Sequence, residues 1–384
     1  MKTRNLLTFP ASRPTILPSG SVLVRIITGD SLAGVIDTTD GVITLASLTD
    51  QSTRGERDPL RNTTNAPASF YWSKWFHRES GGFASTRRQT SAADSDNTWY
   101  SLTDRSGWNN GGPYATVDAC PDVPLMFLID AWARQLGHGY EDEAGNAIPV
   151  YYICNAYSGS IHATGATSTI AWDSAVASSR FAHFRDYYLT PALASLRTLA
   201  KQRLAPSDPD SVVPRIYCDM FLHNSGGADA HVTVGSSGGA TLLGTTYKRT
   251  VNDIHTLLGC KPPTLVRRPF DPQQILTSGS VNQYPHFSLA QASFDAWLAA
   301  AEADGQSSYL IPFEMGSGIE MQEVINPPAT YTTTYGIHPT ANGSSEMARR
   351  IVVALAERSG GDYGAIDGGS PSSTGSLVLL RQVP

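Results

Sequence analysis

Residues 22–28, VLVRIIT, form a β-branched run closed by Gly29. Apolar at nearly every position, it predicts a strand buried on both faces. Runs of the same kind recur at 149–156 (PVYYICNA), 213–222 (VPRIYCDMFL), 264–270 (TLVRRPF) and 308–313 (SYLIPF). Between them apolar residues recur at helical spacing. Residues 123–136 predict a helix stopped by Gly137. Residues 181–204 carry Phe181, Phe184, Tyr188, Leu193, Leu196 and Leu199, with a break expected at Pro191. Residues 247–258 carry Val251, Ile254 and Leu258 before Gly259, residues 288–303 precede Gly305, and residues 344–357 carry Met347, Ile351, Val352 and Leu355. Alternating strands and helices predict an α/β three-layer sandwich of flavodoxin-like type, with a mainly parallel sheet.

Two regions break this rhythm. Residues 50–118 are rich in Ser, Thr, Asn, Gly and aromatics and show little periodicity. An irregular stretch of that length inside a domain is expected to be functional or to carry a small structure of its own. Residues 359–376 are dominated by Gly and Ser and read as a flexible tail, followed by GSLVLLRQVP as a candidate terminal strand. The organisation expected is an N-terminal extension over 1–19, one domain over 20–358 with 50–118 as an insertion, and a tail over 359–384.

Composition narrows the function classes. The formal net charge is −6 with no basic stripe, so no nucleic-acid partner is expected. No run of about 18 apolar residues predicts a membrane span. The start, MKTRNLLTFPASRP, has basic residues but only a short apolar stretch broken by Pro10, so no secretory signal is expected. This leaves the location open between the cytoplasm, a released or virion-associated protein, and a mature form whose signal has been removed. Cys120, Cys154, Cys218 and Cys260 are widely spaced without C-x-x-C and read as buried free thiols. No H-E-x-x-H, P-loop or Cys/His metal spacing appears, so neither a metal nor an organic cofactor is expected.

Two segments carry candidate chemistry. Gly29-Asp30-Ser31-Leu32 follows the first strand directly. Serine attacks only when a base takes its proton and substrate can reach it, and the end of a parallel strand supplies that exposure. An amide at or beside Ser31 is also placed to face a developing oxyanion. The plainer alternative is a strand-to-helix turn with Ser or Asp as N-cap. Near the C-terminus stands Tyr335-Gly336-Ile337-His338-Pro339-Thr340-Ala341-Asn342-Gly343. His338 there occupies a polar loop before an amphipathic helix, which suits a general base. A structural histidine is the alternative.

Together GDSL behind the first strand and H-P-T-x-x-G before the last helix resemble the first and fifth blocks of the SGNH/GDSL hydrolases. Asn155-Ala156-Tyr157-Ser158-Gly159-Ser160 looks like the second block, and that resemblance gives Gly159 as a backbone donor to the oxyanion. Leu222-His223-Asn224-Ser225-Gly226-Gly227-Ala228-Asp229 resembles the third block, giving Asn224 as a side-chain donor. Leu222 and Ser225 depart from the usual G-x-N-D. The stretch is also similar to the W-x-Q-G-E-x-D block of carbohydrate acetylesterases, which would align Ser225 with the glutamine and Asp229 with the final aspartate. In the fifth block the family's orienting aspartate is replaced by Tyr335. A Ser31–His338 dyad, or an acid drawn from Glu314, Glu320 or Glu323, would take its place.

The implied activity is ester hydrolysis through an acyl-enzyme, with O-acetyl groups on carbohydrate as the favoured substrate and a glycan or small-molecule ester as the expected partner. Trp72, Trp75, Trp99 and Trp108 in the irregular region are candidates for stacking on sugar, or form that region's own small core. Two alternatives belong to other classes. One is a catalytically impaired carbohydrate-binding or adhesion module, motivated by Tyr335. The other is a structural component such as a phage-tail protein, motivated by the Gly/Ser tail and the absent signal.

Overall fold

The run behind Ser21 becomes the middle strand of the sheet, with all eight of its residues buried. The computed structural model describes residues 15–29, 69–72, 97–102, 125–135, 140–156, 161–162, 171–177, 179–231, 235–269, 284–306, 309–313, 341–358 and 364–366. Along the chain the strands are β1 (Thr15–Leu17), β2 (Val22–Gly29), β3 (Ser69–Trp72), β4 (Trp99–Ser101), β5 (Tyr140–Asp142), β6 (Val150–Ala156), β7 (Ile216–Asn224), β8 (Thr264–Arg267), β9 (Leu310–Phe313) and β10 (Gly364–Ile366). The α-helices are α1 (Leu125–Gln135), α2 (Arg180–Phe184), α3 (Thr190–Leu204), α4 (Ser237–Leu258), α5 (Phe287–Ala303) and α6 (Ala341–Arg358).

The main sheet runs β4-β3-β6-β2-β7-β8-β9, with β10 beside β7. Pairing is parallel except at β3–β4 and β7–β10. Its centre, β6-β2-β7-β8-β9, has the strand order 2-1-3-4-5 of flavodoxin-like sheets. Apolar residues of one sheet face, such as Val24, Ile26, Ile153 and Phe221, pack with α2, α3, α4 and α5. Those of the other, such as Ile27, Tyr152, Met220 and Leu222, pack with α1 and α6. The protein is therefore a three-layer α/β sandwich.

The structure departs from the sequence pattern where tertiary contact replaces periodicity. α4 starts ten residues before the helix expected over 247–258. Ser236 caps it by accepting from the Gly239 amide. Its first turns carry small residues because α5 lies against them: a Cβ on Gly244 would fall 2.2 Å from the Ser293 carbonyl oxygen. The break expected at Pro191 is instead a π-helical turn, Arg185–Leu189, ahead of it. Within 50–118, β3 and β4 form a hairpin that extends the main sheet. Within the stretch read as a flexible tail, β10 pairs antiparallel with Ile216–Cys218. β1 of the N-terminal extension pairs with β5. Cys154 and Cys218 are buried free thiols and Cys260 is half-buried; Cys120 lies outside the described residues.

A charged network crosses the sheet beneath α1. Arg25 donates through Nε and Nη2 to Asp219, and through Nη1 to the Tyr152 hydroxyl at 2.8 Å. Tyr152 and Ser69 both donate to Asp130 Oδ1, at 3.0 and 2.9 Å. Four strands and α1 are thereby tied together by groups that are all buried.

Candidate active site at the strand ends

The chain leaves β2 toward β6 on one side and later returns to β7 on the other. The carboxyl ends of β2 and β7 therefore flank the topological switch point, the place where open α/β sheets bind ligands. On the last rung there, Gly29 is the Cα partner of both Ala156 and Asn224. One rung below, Thr28 is flanked by Asn155 and His223. The three strands thus end side by side in buried polar residues.

Asn224 is the one residue of the expected machinery that lies among the described residues. It is fully buried, and its Nδ2 lies 3.8 Å from Met347 Sδ on α6. That contact sets the first turns of α6 beside the end of β7. Ser31, Gly159, His338, Glu314 and Glu320 lie outside the described residues, as do Tyr335 and Glu323. Their described neighbours do converge. Gly29 precedes Ser31 by two residues, Ala156 precedes Gly159 by three, and α6 begins three residues after His338.

Of the four tryptophans, Trp75 and Trp108 lie outside the described residues. Trp72 and Trp99 face one another across the β3–β4 hairpin, with ring centroids 4.8 Å apart. Trp72 is 2% exposed, so it presents no ring face to a sugar. Trp99 is half-buried against Tyr151 and donates from Nε1 to Ser195 Oγ on α3. Both rings thus pack at the edge of the sheet, as the alternative of a small core within this region expects.

The strand ends also hold a buried polar chain that motif reading passed over. Thr28 Oγ1 lies 2.7 Å from His223 Nδ1, and His223 Nε2 lies 2.8 Å from His162 Nε2. His162 stacks on the Tyr247 ring at 4.5 Å, and its backbone N–H donates to Asp229 Oδ1 at 2.8 Å. The Tyr247 hydroxyl donates to the His223 carbonyl. Trp172 Nε1 donates to the Gly29 carbonyl at 3.1 Å, and the Trp172 carbonyl accepts from Thr250 Oγ1 at 2.8 Å.

Both imidazoles are fully buried. Burial, with the Arg267 guanidinium adding repulsion, pushes His162 down to about 3. Burial first, then His162 and Arg267, holds His223 well below the ordinary histidine range. Two neutral rings sharing an Nε2–Nε2 contact must be opposite tautomers, one donating and the other accepting. The proton order along the chain then runs one way or the other from Thr28 through His223 to His162. In either order the buried His162 Nδ1 has no hydrogen-bond partner among the described residues. The signal available in the sequence was the polar residue closing each apolar run: Thr28, Asn155 and His223.

Among the described residues no group of three or more His, Cys, Asp or Glu is placed to hold a metal, and no helix is long and apolar enough to cross a membrane. No family model matches the chain, and no curated protein matches it. Among solved structures, NanS is similar over 89% of this chain and 98% of its own, at 11% identity and a TM-score of 0.45. A protein from Arabidopsis thaliana is similar over 88% of this chain and 99% of its own, at 10% identity and a TM-score of 0.41.

Proposed function

We propose that the protein is a serine esterase acting through an acyl-enzyme, with O-acetyl groups on carbohydrate as its substrate class. The observation that carries this reading is the shared last rung of Gly29, Ala156 and Asn224 at the switch point. Each of the three adjoins or belongs to a segment that resembles an SGNH/GDSL block. The Asn224–Met347 contact supports the fourth segment, because it sets the helix that follows His338 at the same end of the sheet.

In this reading Ser31 Oγ adds to the ester carbonyl while His338 takes its proton. The amides at Ser31 and Gly159 and the Asn224 side chain stabilise the tetrahedral oxyanion. Asn224 is suited to this because its amide N–H₂ is a hydrogen-bond donor. Collapse expels the alcohol, protonated by His338, and leaves the acyl group on Ser31. Water, deprotonated by His338, then releases the acid. Tyr335 supplies no anion to His338 at neutral pH, because a phenol titrates near ~10. Glu314 or Glu320 is the candidate orienting acid, or the dyad acts alone.

The test is turnover of p-nitrophenyl acetate and acetate release from an O-acetylated sugar, by wild type and Ser31→Ala. The expected result is turnover in the first and none in the second. An inactive wild type would overturn the reading in favour of a non-catalytic glycan-binding module, as Tyr335 would then imply. Undiminished turnover in Ser31→Ala would remove Ser31 as the nucleophile.

A further inference from the structure

We propose that His162 is a positioning residue for Asn224, acting through His223 across the strand ends. The inference rests on the esterase reading and adds to it a residue outside the motifs that suggested it. His162 holds the chain after β6 at two points: its ring meets His223 on β7, and its backbone N–H meets Asp229 beyond β7. His223 in turn reaches Thr28 on β2. One chain of contacts therefore registers the ends of all three strands that meet at the switch point.

The consequence for Asn224 follows from strand geometry. Successive side chains point to opposite faces, so His223 and Asn224 are fixed as a unit. The His223 ring is held by Thr28 and His162, and its carbonyl is held by the Tyr247 hydroxyl. The peptide leading into Asn224 is thus gripped from the face opposite α6, and the Asn224 amide is left aimed at the α6 side. A donor to an oxyanion contributes most when it needs no reorganisation in the transition state. Loosening His162 should therefore weaken transition-state binding while leaving ground-state binding nearly unchanged.

The experiment compares three forms of the full chain on p-nitrophenyl acetate: wild type, His162→Phe and His162→Gln. Phenylalanine keeps the stacking on Tyr247 but cannot bond to His223, whereas the glutamine amide can reach the position of Nε2. The expected result is a kcat at least tenfold lower in His162→Phe with KM within threefold, and recovery to within threefold of wild-type kcat in His162→Gln. Thermal unfolding is followed in parallel. Wild-type kcat in a folded His162→Phe would overturn the proposal and leave the esterase reading standing. So would equal losses of kcat and folded protein in both variants, since that pattern belongs to a purely structural residue. An inactive wild type would overturn the esterase reading and, with it, this role.

Discussion

Gly29 and Asn224 are Cα partners at the end of the central strand pair, and a Cβ on Gly29 would lie 2.0 Å from the Asn224 carbonyl oxygen. Gly29 also holds φ at +146°, a conformation L-residues rarely adopt. Gly29→Ala should therefore destabilise the protein by more than about 3 kcal/mol, combining backbone strain with displacement of β7. Gly145 is the control: its φ is +79°, but a Cβ there would meet nothing within 4 Å. Gly145→Ala should cost about 1–2 kcal/mol. Urea unfolding of both variants checks the contrast, and equal losses would show that the close approach is unimportant.

The esterase reading orders the effects of its residues. Ser31→Ala and His338→Ala should each lower kcat by orders of magnitude, and Tyr335→Phe should not. Asn224→Ala should lower kcat roughly 10²–10³-fold, the usual cost of removing one oxyanion donor. Steady-state kinetics with folded variants decides. A Tyr335→Phe loss as large as that of His338→Ala would assign the tyrosine a part in the chemistry.

Stability should fall with acid from the buried histidines. Burial, with a smaller contribution from Lys261, pushes His255 down to about 4, and its Nε2 lies 2.8 Å from Thr264 Oγ1. His162 is pushed down to about 3 and His223 lies well below its ordinary value. In the unfolded chain all three return to the ordinary value of about 6.5. Below that pH the unfolded state binds the extra protons, so stability is fully present above about 6.5 and declines as pH falls toward the folded values. Near pH 5 each such group steepens the decline by about 1.4 kcal/mol per pH unit. His255→Gln should remove one such increment from the slope of unfolding free energy against pH. An unchanged slope would mean that His255 is already charged in the folded protein.

The Arg25–Asp219 pair predicts strong asymmetry between single and double variants. Their closest contact is 2.9 Å, with both side chains almost fully buried. Asp219→Leu strands a buried guanidinium and should cost about 3–5 kcal/mol. Replacing both with apolar residues, Arg25→Met with Asp219→Leu, should cost less than the sum of the two single changes. Chemical denaturation of the four forms measures the coupling, and simple additivity would show that the ions do not act as a pair.

The sequence by itself determined the alternation of buried strands and helices, and with it the three-layer sandwich; the order of the strands is set by tertiary packing. β-branched runs closed by Gly or polar residues have few other ways to bury both faces. Asn224 came from the resemblance of its segment to a hydrolase block, and the fold sets it at the end of β7. What the sequence could not reach depends on partners distant in the chain. The first half of α4 is helical because α5 accepts its small residues, and β10 is a strand because Ile216–Cys218 offers an open edge. For Trp72 the sequence left sugar stacking and core packing both open, and pairing of β3 with β4 sets it against Trp99 and the core. His162 lies in no motif and is 61 residues from His223, whose block was read only for Asn224. Only the parallel register of β6, β2 and β7 brings the ends of these strands together, and only burial makes the two imidazoles a neutral, hydrogen-bonded pair.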